Sequence, residues 1–147
     1  MLDAIASRLL INIEITNYLT LDDSLPDRIA DCVKNHGVQN RVHFSSFSTR
    51  NLVRIKKLLP ECPVGYLTPP TLKGLWNNWR INLPFEAEFI HPYYLTTYAW
   101  WTRRQKNAGR RIHVWTVNSA GQMRRLARLQ VDGIITDDPL LAREALT

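Results

Sequence analysis

Short segments of alternating apolar and polar residues recur along the chain, with longer amphipathic segments between them. In the first, RLLINIEI at residues 8–15, three isoleucines fall on one face of an extended chain, and Asn12 and Glu14 fall on the other. Period-two alternation of β-branched residues predicts a half-buried β-strand. The same kind of signal predicts five further strands, at residues 41–47, 63–68, 88–94, 111–118 and 131–137.

The segments between the predicted strands carry helix start and stop signals. Ser24 favours the start of a helix and Gly37 favours its end. Ser119 and Gln122 have the spacing of a capping box, and Asp138 stands before a proline as an N-cap. The predicted helices span residues 24–37, 48–60, 95–109, 119–130 and 138–146, whereas residues 70–84 fit either a short helix or an ordered loop.

Strands and helices therefore alternate along the chain. Because each helix carries the chain back to restart in the same direction, this order predicts an α/β fold with a mainly parallel sheet. A doubly wound sheet and a (β/α) barrel of the TIM type both satisfy the pattern. No GxGxxG turn follows a predicted strand, which disfavours the dinucleotide-binding form of the doubly wound fold. The length of 147 residues suits a single domain over residues 1–147.

The net charge of the chain is +6, which favours anionic partners such as phosphorylated small molecules, nucleic acid or acidic lipid. The basic residues cluster in the segments WWTRRQKNAGRR and MRRLARL. We interpret both segments as solvated helix faces, since no nucleic-acid-binding motif accompanies them. We therefore expect no nucleic-acid partner.

The sequence also indicates the cellular compartment in which the protein works. No apolar run approaches the ~18 residues that a membrane helix needs, and the first residues lack the pattern of a secretory signal. Cys32 and Cys62 are too far apart in sequence for a metal-binding or redox pair, so we expect free thiols in a reducing environment. These features predict a cytoplasmic protein without a membrane span.

Candidate functional residues follow from the predicted fold, because α/β proteins place their working side chains at the carboxyl ends of the strands. Glu14 is the sharpest candidate, since a carboxylate on a strand can bind a hard divalent cation through oxygen. On spacing alone, the favoured interpretation of Glu14 is a residue that caps a neighbouring helix or pairs with an arginine. The other polar or aromatic residues at predicted strand ends are Thr16, Ser45, Ser46, Phe47, His91, Trp115, Asn118, Thr136, Asp137 and Asp138.

Several of these candidates leave alternatives open. Trp115 fits either a stacking surface for a sugar or glycerol or a ring that fills the core, and His91 fits either a phosphate ligand or a surface-loop histidine. Ser46 has no histidine at a recognisable spacing, which weakens a role as a nucleophile. Trp76 and Trp79 fit either a ligand-facing groove or the packing of a long loop.

Four segments occur in the order found in the carboxyl-terminal part of glycerophosphodiester phosphodiesterases: LLINIEI, RVHFSSF, RRIHVWTVN and VDGIITDDP. Together with FIHP they cover nearly the whole chain, and the pair WTVN and VDGIITD, joined by one helix, is the most specific part. On these residues the chain resembles that family. The resemblance implies the last five or so βα units of a TIM-type barrel with phospholipase C-like phosphodiesterase architecture.

The resemblance also implies an activity, the metal-dependent hydrolysis of small-molecule glycerophosphodiesters to sn-glycerol 3-phosphate and an alcohol in lipid and glycerol metabolism. In the family, carboxylates hold a divalent cation, Mg²⁺ or Ca²⁺, and two histidines act as general acid and base. Glu14 matches a metal carboxylate and Trp115 matches a tryptophan beside the substrate. The other substrate-binding residues that we predict are Thr16, Ser46, His91 and Asn118.

Two departures from the family qualify these expectations. Thr16 stands where most members carry a lysine that contacts the phosphate, so phosphate binding should be weaker. The family's HRG, Glu-x-Asp and HD motifs do not occur, so no catalytic histidine is assigned. Because a complete barrel needs ~250 residues, the chain is expected to begin in mid-barrel. It should then be inactive alone, and should self-associate or need a missing amino-terminal half.

Two rival functions remain. A non-catalytic module that binds a phosphate or lipid headgroup on a degenerate barrel would account for the absent motifs. A nucleic-acid binder that uses the arginine-rich helices would require binding with a steep dependence on salt concentration.

Overall fold

The computed structural model describes residues 2–18, 24–70 and 85–147. Nearly all of the segment at residues 70–84, which fits either a short helix or an ordered loop and contains Trp76 and Trp79, lies outside the described residues. The chain divides into two compact units, and we describe each by itself. The described part of the first unit is residues 2–18, 24–67 and 85–87, and that of the second is residues 68–70 and 88–147. The single domain expected over residues 1–147 stays a prediction.

The first unit contains three parallel strands in the order β1-β2-β3. In the register, Ile13 of β1 pairs with Phe44 of β2, and Phe44 pairs with Val64 of β3. The elements are α1 (Leu2–Ala6), β1 (Ile11–Glu14), α2 (Ser24–Asn35), a 3-10 turn (Gln39–Arg41), β2 (Val42–Ser46), α3 (Thr49–Leu58) and β3 (Val64–Leu67).

The apolar core of the first unit follows from the alternation in its strands and the periodicity of its helices. Phe44 is completely buried in β2, and Leu52 and Ile55 on one face of α3 are also completely buried. Helix α2 ends as its sequence predicts, because Gly37 takes a φ of +63° and the Val38 N–H donates to the carbonyl of Val33 at 3.3 Å.

The second unit repeats this construction, with strands in the order β4-β5-β6 and both strand pairs parallel. Ile90 of β4 pairs with Ile112 of β5, and both residues are completely buried. The elements are β4 (Phe89–His91), a 3-10 turn (Tyr94–Thr96), α4 (Ala99–Asn107), β5 (Arg111–Val114), α5 (Ala120–Arg128), β6 (Gly133–Ile134) and α6 (Pro139–Leu146).

The predicted α/β alternation is confirmed, although the strands are shorter than their sequence patterns. β6 has only two residues, although the Ile135 N–H still donates to the carbonyl of Val114 at 2.8 Å. The N-cap role of Asp138 is confirmed by a bond from the Leu141 N–H to its carboxylate at 2.9 Å. The predicted capping box is wrong, because Ser119 makes no side-chain cap bond and Gln122 instead accepts from an arginine.

The contact between β5 and β6 depends on a glycine. The register pairs His113 with Gly133, and a Cβ atom at Gly133 would lie only 2.7 Å from Cδ2 of the His113 ring. That ring cannot move aside easily, since its centroid lies 4.8 Å from that of Phe89 and 5.3 Å from that of His91. Burial lowers the pKa of His113, so its ring is neutral at pH 7.

A guanidinium group of α5 holds the turn that follows β4. Arg125 donates from Nη2 to the carbonyl of Tyr94 at 2.6 Å, and from Nη1 to the carbonyl of Thr97 at 3.0 Å. Its Nε donates to the side chain of Gln122 at 2.8 Å. Because the planar fork reaches three acceptors at once, Arg125 fixes the 3-10 turn against α5.

We predict that Gly133→Ala destabilises the chain by about 1–3 kcal/mol, since the added methyl group overlaps the His113 ring. The midpoint of urea unfolding measures this loss. Gly121→Ala in α5 is the matched control, because the atom nearest to its new Cβ lies 3.8 Å away and alanine favours a helix. Equal midpoints for the two variants would contradict the packing argument.

We predict that Arg125→Lys costs about 1–3 kcal/mol, because an ammonium group cannot replace the three directed bonds of the guanidinium. Hydrogen exchange in peptides covering residues 93–98 should also become faster. Arg124→Lys keeps the same chemistry at an exposed neighbour on α5 and should leave both measurements unchanged. Unaltered exchange in Arg125→Lys would refute the anchoring role.

Candidate functional site

The residues at the end of β1 present one carboxylate to solvent. Ile15 is completely buried, whereas Asn12, Glu14 and Thr16 on the opposite face are exposed. The Tyr18 hydroxyl donates to Oε1 of Glu14 at 2.9 Å. This bond from an uncharged hydroxyl orients the carboxylate, and the exposed side chain stays accessible to a cation.

Tyr18 is a residue that the sequence analysis missed. Its ring packs edge-on against Phe47 with centroids 5.6 Å apart, and partial burial raises the pKa of its phenol. Tyr18 therefore stays protonated at neutral pH and can act as a donor to Glu14. The only sequence signal was an aromatic residue four positions after Glu14, beyond the end of the predicted strand, where no regular element was expected to set its direction.

Ser46 lies inside the first unit rather than at an open surface. Its completely buried hydroxyl donates to the carbonyl of Ile15 at 2.8 Å. It also accepts from the Ser48 N–H and from Nδ2 of Asn51, both at 3.2 Å. Because the hydroxyl already bonds to three groups of the chain, Ser46 connects the end of β1 to the start of α3.

In the second unit, the end of β4 holds the side chain of Trp115. Its indole N–H donates to the carbonyl of His91 at 2.7 Å, and its backbone carbonyl accepts from the Tyr94 N–H at 2.9 Å. The Tyr93 ring lies beside the indole with centroids 5.3 Å apart. A hydrogen bond with Tyr94 raises the pKa of the Tyr93 phenol, which therefore remains neutral. Trp115 is thus a half-buried ring held in one orientation.

The structure corrects one interpretation of His91. It is completely buried as the last residue of β4, so it is not a surface-loop histidine. The proline after it does not open a loop, because the parallel pairing continues to a bridge between Tyr93 and Trp115. Within this unit, His91 contributes its carbonyl to Trp115 and packs its ring near that of His113.

Asn118 connects the segments that follow β5 and β6. Its Nδ2 donates to the Asp137 carboxylate at 2.6 Å, and its Oδ1 accepts from the Thr136 hydroxyl and the Asp137 N–H, both at 3.0 Å. All three residues belong to the polar rim that the sequence predicted. Asn118 is exposed, but its amide is used within the chain, so it positions this loop.

The donor types decide which ions these residues suit. In the first unit, the Glu14 carboxylate and the neighbouring Asn12 amide are hard oxygen donors of the kind that Mg²⁺ and Ca²⁺ prefer. The two side chains are fewer than the six or more ligands of those ions, so they fit a metal as part of a larger set. The imidazoles of the second unit suit softer transition metals.

The chain has clear relatives among known proteins. Residues 10–141 match the sequence model of the Glycerophosphoryl diester phosphodiesterase family. The chain is similar to a glycerophosphodiester phosphodiesterase of Caldanaerobacter subterraneus, with 33% identity over 130 residues that make up 88% of this chain and 52% of the relative. It therefore spans about half the length of that relative.

Solved structures show the same fold. A glycerophosphodiester phosphodiesterase of Agrobacterium tumefaciens aligns with a TM-score of 0.75 and 20% identity, over 98% of this chain and 58% of that one. A phosphodiesterase of Oleispira antarctica, solved with its product sn-glycerol-3-phosphate, aligns with a TM-score of 0.78 and 23% identity, over 93% of this chain and 55% of that one. The chain belongs to the glycerophosphoryl diester phosphodiesterase family.

Proposed function

We propose that the chain is the carboxyl-terminal part of an enzyme that hydrolyses glycerophosphodiesters to sn-glycerol 3-phosphate and an alcohol. The observation that carries the proposal is Glu14, an exposed carboxylate that a tyrosine orients at the end of β1, in a segment that resembles the family's metal-binding phrase. The family match and the product bound to the Oleispira antarctica phosphodiesterase support the same reaction class.

The metal of the proposed reaction is Mg²⁺ or Ca²⁺, and Glu14 is the residue of this chain that would hold it. A bound divalent cation would neutralise phosphate charge and polarise a phosphoryl oxygen. The role of this chain in metal binding is to keep the Glu14 carboxylate exposed and in a fixed orientation. The bond from Tyr18 and the buried Ile15 beside Glu14 serve that purpose.

We assign distinct roles to the remaining predicted residues. Trp115, held through the carbonyl of His91, supplies an apolar wall for a glycerol group. Thr16 is exposed and offers a hydroxyl to phosphate, without the charge of a lysine. For Ser46 and Asn118 we propose positioning roles instead of direct substrate contact, because their polar atoms already bond within the chain.

The reaction also needs groups that these 147 residues do not contain, namely those of the HRG, Glu-x-Asp and HD motifs. We therefore propose that the chain acts with a partner segment equivalent to the family's amino-terminal half, which would complete a (β/α) barrel. β1 supports this idea, because within the described first unit it pairs only with β2. Leu9 and Leu10 next to it are 62% and 71% exposed. Self-association would cover the same surface.

Among the helices that the structure describes, none combines the length and the apolar composition that a membrane span requires. The cytoplasmic location expected from the sequence stays a prediction.

We predict that the chain hydrolyses glycerophosphocholine only with Mg²⁺ or Ca²⁺ and a polypeptide that carries the family's amino-terminal half. Glu14→Gln should reduce the rate at least about 100-fold, because it removes a charged metal ligand. Glu144→Gln makes the same exchange at an exposed residue of α6 and should retain the activity. Release of choline, measured against an EDTA control, gives the rates.

Two results would contradict this proposal. The first is no hydrolysis by the combined halves at any metal concentration, and the second is equal activity of Glu14→Gln and Glu144→Gln.

The second candidate function is a module that binds a phosphorylated headgroup without hydrolysis, which the absence of the three motifs favours. Such a module would bind sn-glycerol 3-phosphate with equal affinity in the presence of EDTA, and Glu14→Gln would not weaken that binding.

A further inference from the structure

Positive charge is concentrated in one part of the second unit. Residues 99–131 contain eight arginine and lysine residues and no aspartate or glutamate, although the net charge of the whole chain is only +6. This stretch includes both basic segments that the sequence analysis interpreted as solvated helix faces. Its cations are not equivalent, because some have partners among the described residues of the unit and others do not.

Three of these cations are used by the fold. Arg125 binds backbone carbonyls, Arg110 donates from Nη1 to the side chain of Gln105 at 2.8 Å, and Arg111 lies 5.8 Å from the centroid of the Phe89 ring. Arg103 and Arg128 differ from them. Both are exposed, and neither forms an ion pair or a side-chain hydrogen bond with the residues that the structure describes.

Arg103 and Arg128 face the same groove, which has a volume of about 250 Å³ and lies between α4 and the end of α5. Lys106 and Asn107 line it from α4, and Gln130 lines it from beyond α5. Among the described residues that line it, none is acidic. The volume is below the ~300–1,000 Å³ of typical small-molecule pockets, so the groove suits a compact anion.

The backbone at Gln130 supports a role for this groove. Gln130 takes a φ of +56°, and it is the only non-glycine residue with a positive φ in the part of the chain that the structure describes. Glycine normally occupies this position after a helix, because a side chain there adds strain. Glutamine bears that strain at a position that lines the groove, and its side chain carries an amide group that can donate hydrogen bonds.

Lys106 has a nearby carboxylate that must be considered. Its Nζ lies 3.6 Å from Oδ1 of Asp132, and about a third of each side chain is exposed. A pair at this distance and exposure contributes little to stability, so it competes weakly with an anion. Asp132 also accepts from the Ile112 N–H at 2.8 Å and does not line the groove.

The groove is separate from the predicted substrate residues of the same unit. Lys106 and Asn107 lie shortly before β5, and Arg128 and Gln130 lie shortly before β6. The groove is therefore at the amino ends of these strands, whereas Trp115 and Asn118 follow the carboxyl end of β5.

We propose that this groove is a second anion site, which binds a phosphate group through Arg103, Lys106 and Arg128 with hydrogen bonds from Asn107 and Gln130. Arginine suits this ligand because its planar fork matches two phosphate oxygens. The phosphate group belongs to a soluble phosphorylated molecule or to a lipid headgroup, which share this chemistry. The proposal does not depend on the hydrolytic function.

The test uses two double variants of the full chain that remove the same charge from the same two helices. Arg103→Gln with Arg128→Gln removes the arginines that line the groove. Arg104→Gln with Arg124→Gln removes two exposed arginines that do not line it. Because the net charge of the two double variants is equal, any difference between them reports on the groove itself.

The first measurement is the thermal unfolding midpoint against the concentration of inorganic phosphate, with chloride holding the ionic strength constant. We expect a saturable rise for the wild-type chain and for the matched double variant. The apparent affinity should fall at least about tenfold in the groove double variant. No effect of phosphate beyond that of chloride would overturn the proposal, and so would equal losses in both double variants.

The second measurement distinguishes the source of the phosphate group. Co-sedimentation with phosphatidylcholine vesicles that contain phosphatidic acid, lost only in the groove double variant, would support a lipid headgroup. Saturable phosphate binding without co-sedimentation would support a soluble ligand. Co-sedimentation that both double variants lose equally would indicate attraction of the surface charge alone and would overturn the site.

Discussion

Parallel strand pairing is the constraint on which the other features of both units depend. It requires the chain to return through a helix before each new strand, so all carboxyl ends within a unit lie on one side. In the first unit this brings Glu14 and Ser46 to the ends of the paired strands β1 and β2. In the second unit it brings the residues after β4 next to Trp115. The polar rim expected of an α/β protein therefore arises in each unit from strand direction alone.

Several rim residues bond to the protein itself instead of remaining available to a ligand. The Ser46 hydroxyl and the Asn118 amide have their polar atoms engaged within the chain, whereas Glu14 and Thr16 remain exposed. This difference separates positioning residues from the residues that can reach a metal or a phosphate group. For the same reason, fewer residues could contact a substrate than lie at the ends of the strands.

The cationic side chains of the second unit likewise fall into two groups, those that bond within the fold and those that remain exposed. Arg125 donates to the carbonyls of Tyr94 and Thr97, and its removal would loosen the turn after β4. Arg103 and Arg128 lack such partners among the described residues, and they share a groove at the other ends of the strands. The sequence predicts that these arginines lie on solvated helix faces. This interpretation fits Arg104 and Arg124, which do not line the groove, better than it fits Arg103 and Arg128.

The sequence by itself determined the order of strands and helices, the glycine that ends α2, the cap at Asp138 and the exposed face that carries Glu14, because each depends on neighbours within a few residues. Only the tertiary structure revealed the burial of His91, the bond from Tyr18 to Glu14 and the need for glycine opposite His113. It also showed that Gln122 serves Arg125 instead of Ser119. The burial of His91 and the contact at Gly133 depend on atoms that the fold brings together from different elements. Tyr18 and Gln122 bond to residues only four and three positions away, but packing decides which partner each one takes, and the local pattern does not encode that choice.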